Sequence, residues 1–187
     1  MSKIRINELA RELEVKPGVI LELLHELGHV LGAVISGGQV ERVVLHPLTI
    51  SRTDLRENPH PLWVVWCGPI LGCLFPLVLW QIARWRNESL SFLLRFVAGF
   101  CLLANGLYIS IGSFDHVGDC VEMFRHGSPP WMLWLFGAVT VPTGLWLWHR
   151  QGPHFGWGEA AINSHAIKLS VLTAVGLILL GWIFGGR

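Results

Sequence analysis

Charge is scarce in this chain of 187 residues, because Asp, Glu, Lys and Arg together make up 14% of it, against about a quarter in average soluble domains. The net charge is only +1, which excludes a nucleic-acid binder that depends on a strongly basic surface. The four cysteines form no C-x-x-C pair, and the phosphate-binding pattern G-x-x-x-x-G-K-[ST] does not occur. We expect no cleavable signal peptide, because residues 1–16 are charged and lack a continuous apolar core.

Apolar residues are abundant instead. Hydrophobic residues make up 52% of the chain, ten residues are Trp, and the mean hydropathy is +0.50. Length and apolarity predict about five transmembrane helices, at residues 17–37, 61–83, 90–112, 129–148 and 166–184. In two of these segments a pair of Trp residues is separated by a helical rise of about 26 Å, close to the thickness of the hydrocarbon layer; the pairs are Trp63 with Trp80, and Trp131 with Trp148.

Two segments outside these apolar runs have patterns of their own. Residues 1–16 have apolar positions at helical spacing among charges, which predicts a short amphipathic helix that Pro17-Gly18 would end. We therefore divide the chain into an N-terminal helix, 1–16, and a polytopic membrane domain, 17–187. After Gly37-Gly38 the β-favouring Val40, Val43 and Val44 predict a short strand or hairpin. The predicted fold class is an all-α membrane protein with this β segment after its first span.

The sequence H-E-L-G-H at residues 25–29 interrupts the first predicted span. Positions four apart lie on one face of a helix, so His25 and His29 can direct their imidazoles at a single ion. Glu26 projects about 100° away, beside the ion rather than on it. Two neutral imidazoles suit Zn²⁺, and the neighbouring carboxylate can take a proton from metal-activated water. Ionisable groups inside a span are costly and usually mark function, so this pattern indicates a zinc hydrolase.

A zinc hydrolase needs a third protein ligand. Asp115 and Asp119, at the end of an apolar segment, are both candidates, and Asp119 could alternatively cap the next helix. His116 and His126 rank below the two carboxylates. Three residues before His25, Glu22 could orient an imidazole or face solvent, and the residues alone leave both readings open.

Two motif regions together resemble the M50 membrane metallopeptidases, most closely their M50B-like branch of site-2 protease relatives. They read HELGHVLGAVISGGQVERVVLHP and ANGLYISIGSFDHVGDCVEMFRHGSPPW, and the resemblance covers about residues 24–150. It implies a zinc site within the bilayer, with His25, His29 and Asp119 as ligands and Glu26 as general base. It also implies a role for Asn105 in holding the substrate backbone. Site-2 proteases usually have Asp-Gly in the second motif, whereas Cys120 follows Asp119 here, so Asp115 remains an alternative ligand.

Residues 1–28 resemble a second family, since KIRINELARELEVKPGVILELLHELG is similar to the helical N-terminal module of bacterial translation initiation factor two. The remainder of the chain has no such similarity.

The function expected from the whole sequence is that of a zinc-dependent metalloendopeptidase of the HExxH type, acting in or near the membrane on a peptide or a transmembrane protein. The alternative is a catalytically inactive membrane protein of the same fold that binds or regulates a partner. We expect the chain to contact a lipid bilayer and to bind no nucleic acid. The expected location is the cell membrane as a multi-pass protein, most readily the bacterial inner membrane, and the distribution of Lys and Arg favours a cytoplasmic N-terminus.

Overall fold

The computed structural model describes residues 6–45, 51–86, 88 and 91–155. This part of the chain is mostly helical, with a two-stranded antiparallel sheet after the first helix. The elements are α1 (Ile6–Ile35), β1 (Gln39–Val44), β2 (Arg52–Glu57), α2 (Pro61–Trp85), α3 (Ser91–Asp115), α4 (Asp119–Arg125) and α5 (Pro130–Trp148), followed by a 3₁₀ turn (Gly152–Phe155).

Among the described helices, α2, α3 and α5 are long and apolar enough to cross a membrane. Each agrees to within three residues with a span predicted from the sequence. The predicted count of five is thus supported for three helices; residues 166–184 lie outside the described residues, and a crossing by α1 stays a prediction. Of the Trp pairs, Trp63 and Trp131 are more than half exposed, whereas Trp148 packs against α3 and donates its indole N–H to the Phe96 carbonyl at 2.9 Å.

The first helix corrects one expectation. We predicted that Pro17-Gly18 would end an N-terminal helix, but α1 runs for 30 residues without interruption from Ile6 to Ile35. Proline inside a helix costs about 3 kcal/mol because it removes one backbone hydrogen bond and crowds the preceding turn. The segments ELARELE before the proline and LELLHEL after it are rich in good helix formers, and one local cost does not outweigh their combined preference. The helix ends instead at Ile35, and Gly37 two residues later, with a φ of +82° that suits glycine, reverses the chain.

The hairpin after α1 confirms the predicted β segment. The strands β1 and β2 pair antiparallel, with Val43 opposite Thr53 and irregularities near Val40. Of the two predicted forms, a strand or a hairpin, the structure has the hairpin, although its second strand Arg52-Thr-Asp-Leu-Arg-Glu57 is dominated by charges. This segment forms a strand because it pairs with β1, although its composition does not favour a strand.

Small residues let the helices approach closely. The helix α1 packs mainly on α2, α2 on α3, and α3 on α5. A Cβ atom on Gly28 would lie 2.5 Å from the Cys67 carbonyl oxygen, and one on Gly68 would collide with the His29 ring. Gly68 and Gly72, small residues four positions apart on α2, thus lie where α1 crosses α2. All four cysteines are free and buried, as expected for packing residues.

Candidate metal centre

One face of α1 directs two imidazoles at one carboxylate. His25 Nε2 lies 2.7 Å from Asp119 Oδ2, and His29 Nε2 lies 3.5 Å from the same oxygen. The two rings meet edge to face with their centroids 4.8 Å apart. The three potential ligand atoms all lie within 4.8 Å of one another. Residues 94 positions apart in the sequence are therefore brought to a single point.

The opposite nitrogen of each ring is held by a different helix. His25 Nδ1 lies 2.8 Å from Asn105 Oδ1 on α3, and His29 Nδ1 lies 2.9 Å from the Val64 carbonyl oxygen on α2. A carbonyl oxygen only accepts, so Nδ1 of His29 carries the proton, and the Asn105 oxygen gives His25 the same tautomer. In neutral imidazoles both Nε2 atoms then present lone pairs. This arrangement of outer partners is the one that orients histidine ligands in metal sites.

These three atoms fit a cation. Two Nε2 lone pairs and a carboxylate oxygen would repel one another at these distances if nothing positive lay among them. Ligands about 2.0–2.1 Å from a tetrahedral zinc ion lie about 3.3 Å from one another. The His29–Asp119 separation of 3.5 Å already agrees with this value, and the His25–Asp119 separation of 2.7 Å is shorter. Opening the latter by roughly half an ångström would accommodate zinc.

Asp119 is placed by a tight reversal between α3 and α4. It is the first residue of α4 and follows Gly118, whose φ is +53°. The Asp119 backbone N–H donates to the Tyr108 hydroxyl at 3.0 Å, and a Cβ on Gly118 would collide with that hydroxyl, so this close contact requires glycine. Burial alone raises the pKa of Asp119, but imidazolium forms of His25 and His29, which donate to it from Nε2–H, outweigh burial and hold the pKa below the ordinary range. The carboxylate is therefore ionised at neutral pH.

The other candidate ligands lie elsewhere. Asp115, the last residue of α3, is exposed and is not part of the cluster. His116 is also exposed, with a φ of +51°, and its ring packs against Phe124. His126, the residue that caps the C-terminus of α4, lies 3.4 Å from Glu122 of that helix. Among the described residues, the structure brings only Asp119 to the two histidines of α1.

Glu26 lies beside this cluster and is nearly enclosed, with 6% of its surface exposed. Its Oε2 accepts a hydrogen bond from the Thr53 hydroxyl of β2 at 2.7 Å. One helical turn earlier, Glu22 accepts a hydrogen bond from Ser51 at 2.8 Å. Glu22 is thus hydrogen-bonded to the hairpin. This differs from both alternatives left open by the sequence, in which Glu22 orients an imidazole or faces solvent.

Comparison with known families agrees with this geometry. The profile of the Peptidase M50B-like family matches residues 16–113, slightly more than half of the chain. The chain belongs to the Peptidase M50B-like family. Searches of curated proteins and of solved structures gave no significant match. The resemblance of residues 1–28 to translation initiation factor two finds no support.

The M50B-like match includes the H-E-L-G-H residues and Asn105 but ends at Ser113. Asp119 lies beyond the matched residues, so its candidacy as a ligand depends on the observed distances to His25 and His29. Asn105 is 1% exposed and is engaged at both ends of its amide, with Oδ1 at His25 and Nδ2 donating to the Cys101 carbonyl at 3.0 Å. These contacts orient His25. The contact of Asn105 with a substrate backbone stays a prediction.

The candidate centre opens into a cavity of about 660 Å³ between α1, the hairpin, α2, α3 and α4. Its wall combines apolar side chains such as Leu21 and Val65 with polar ones such as Asn58 and Arg52. The Asn58 side-chain oxygen is buried and has no hydrogen-bond partner among the described residues. A space of this size and mixed lining is typical of a ligand or substrate pocket.

Two residues of this candidate site were not predicted from the sequence. Tyr108 follows Asn105 by three positions, and this helical spacing on one face could have pointed to it. Thr53 lies in a charged stretch whose folding against α1 is not visible in the sequence, so we find no signal that would have identified it.

Proposed function

We propose that the protein is a zinc-dependent peptidase that hydrolyses a peptide bond in or near the membrane. The observation that carries this proposal is the convergence of His25 Nε2, His29 Nε2 and Asp119 Oδ2 beside the enclosed carboxylate of Glu26. Membership of a membrane peptidase family supports it, as do the three helices that are apolar enough to span a bilayer.

In this proposal His25, His29 and Asp119 hold the ion and leave a fourth position open. Zinc held there would polarise a water molecule and the substrate carbonyl. The Glu26 carboxylate accepts the proton of the attacking water and then transfers it to the departing amide nitrogen. Asn105 and the Val64 carbonyl keep the imidazole rings aligned while the charge at the site changes.

The substrate class that we propose is a peptide segment, free or part of a transmembrane protein. The cavity beside the ligands is large enough for several side chains and is partly apolar. A net charge of +1 gives no reason to expect nucleic acid as a partner. The location that follows is a multi-pass protein of the cell membrane, and the bacterial inner membrane stays a prediction from the sequence.

The alternative, a binding or regulatory protein of the same fold without activity, has no observation in its favour. A protein that only holds a metal or a partner does not need a proton acceptor beside the ligands, and burying an ionisable side chain has a cost. Glu26 is nonetheless enclosed next to the cluster and oriented by a hydroxyl.

The test uses the full chain purified in detergent or in lipid nanodiscs. Zinc content is measured together with cleavage of a panel of fluorescent peptides that contain apolar segments. We expect Glu26→Gln to keep zinc and to lose turnover by about 100-fold or more, because the amide cannot accept the proton. Glu41→Gln on the exposed face of β1 is the matched control and should retain activity. Undiminished cleavage by Glu26→Gln would show that this site does not catalyse the cleavage, which would disprove the proposal as stated here.

A further inference from the structure

The hairpin contacts α1 through two hydroxyl–carboxylate hydrogen bonds of similar geometry. Ser51 Oγ donates to Glu22 Oε2 at 2.8 Å, and Thr53 Oγ1 donates to Glu26 Oε2 at 2.7 Å. Carboxylates four residues apart on a helix are separated by about 6 Å along its axis. Hydroxyls two residues apart on an extended chain are separated by about 6.6 Å. The spacing of the carboxylates nearly matches that of the hydroxyls, so this stretch of the hairpin runs alongside α1 in the same chain direction.

The two hydrogen bonds have different consequences. Among the described residues Glu22 is not part of the cluster of His25, His29 and Asp119, so the Ser51 bond attaches the hairpin to the helix without touching a ligand. Glu26, by contrast, is adjacent in sequence to His25 and is enclosed beside the cluster, although both glutamates line the cavity. Thr53 occupies one carboxylate oxygen of Glu26 and leaves Oε1 as the oxygen that can accept a proton. A glutamate has three side-chain torsions, and a fixed hydroxyl selects one combination of them.

We propose that Thr53 is a positioning residue, which holds the Glu26 carboxylate in the orientation that a general base requires. This inference rests on the proposed function, in which Glu26 is that base. It also makes the packing of the hairpin against α1 a condition for activity. The reason is that the orienting hydroxyl lies on β2 and not on α1, the helix that carries His25 and His29.

The first experiment compares Thr53→Val, Thr53→Ser and the matched control Ser51→Ala on the same peptide substrate. Valine keeps the β-branched shape without the hydroxyl, and serine keeps the hydroxyl. We expect Thr53→Val to lower kcat by about 10- to 100-fold, the range that a misplaced catalytic group produces. Its KM and zinc content should stay within about twofold of wild type, as for a group that acts in the reaction and not in binding. Thr53→Ser should recover most of the rate, and Ser51→Ala should stay near wild type.

Three results would overturn the proposal. The first is an unchanged kcat in Thr53→Val. The second is an equal loss of kcat in Ser51→Ala, which would mean that both hydroxyls only attach the hairpin to α1. The third is a loss of zinc in Thr53→Val, which would mean that Thr53 has a structural role.

The second experiment measures amide hydrogen exchange of the hairpin in the zinc-free protein and needs no activity. Thr53→Val and Glu26→Ala should each speed up exchange in β2, and the double variant should be no faster than the faster single variant, since both remove the same bond. Additive effects would contradict the contact. If the wild type cleaves no peptide, the proposed function fails, and the role of Thr53 in positioning a general base fails with it. The exchange data decide separately whether the hydrogen bond between Thr53 and Glu26 exists.

Discussion

Gly68 offers a direct test of the metal centre, because α2 passes the His29 ring at this residue. A Cβ at Gly68 would lie 2.9 Å from His29 Cδ2 and still closer to Cε1 and to Nε2, the atom that faces Asp119. The His29 ring cannot rotate away, since its Nδ1 is hydrogen-bonded to the carbonyl of Val64, one turn before Gly68 on α2. Gly68→Ala should therefore displace the imidazole or push α1 away from α2.

The size of the effect follows from the contact distances. Non-bonded carbon atoms prefer about 3.5–4.0 Å, so His29 would have to move by about 1 Å. Zinc–ligand distances tolerate only about 0.2 Å. Mutation of residues that merely orient a ligand typically lowers metal affinity by about 10- to 100-fold. Displacement of a ligand itself should do more, and we expect Gly68→Ala to weaken zinc binding by at least about 100-fold.

Gly72→Ala is the matched control, one helical turn further along α2. Its Cβ would lie 3.1 Å from Asn105 Nδ2 and 3.4 Å from His25 Cα, so its neighbours need to move by only a few tenths of an ångström. Both substitutions replace a helical glycine and gain about 1 kcal/mol of helix propensity, so a difference between them reports on the site. Zinc affinity is measured by competition with a chromophoric chelator, and circular dichroism checks the helical content. Equal zinc affinities in the two variants would refute the assignment of His29 as a ligand.

Two further predictions concern the third ligand and the N-terminal residues. Asp119→Ala should lose bound zinc, whereas Asp115→Ala should keep it because Asp115 is exposed and is not part of the cluster; the reverse order in metal analysis would assign the role to Asp115. Deletion of residues 2–14 should leave membrane insertion and zinc content unchanged, since the family match begins at residue 16; loss of zinc from a correctly inserted protein would show that these residues belong to the metal domain.

Local patterns were sufficient wherever the structure depends on one element. The four-residue spacing of His25 and His29 places both on one helix face, and the face they share is the one that meets Asp119. Continuous apolar runs located α2, α3 and α5 to within a few residues because a span must be apolar along its whole length. The same local reasoning failed at Pro17, where the combined preference of a 30-residue helix outweighs one unfavourable residue.

The choice between Asp115 and Asp119 could not be made from local patterns. It depends on the path of the chain between α3 and α4, where His116 and Gly118 both have positive φ. A glycine at such a position is readable from sequence, but a histidine there is not. The helix α3 continues as far as Asp115 and leaves it exposed, and only the following reversal returns Asp119 to the histidines.

The H-E-L-G-H residues become a possible metal centre only through contacts from four other elements. The Val64 carbonyl comes from α2, Asn105 from α3, Asp119 from α4 and Thr53 from β2, and each contacts a different atom of His25, Glu26 or His29. An isolated helix with the same five residues would hold two unoriented histidines and a solvated glutamate. Zinc affinity in this protein should therefore report on tertiary folding. A substitution that loosens the packing of α2, α3, α4 or the hairpin against α1 should lower it even where no ligand is changed.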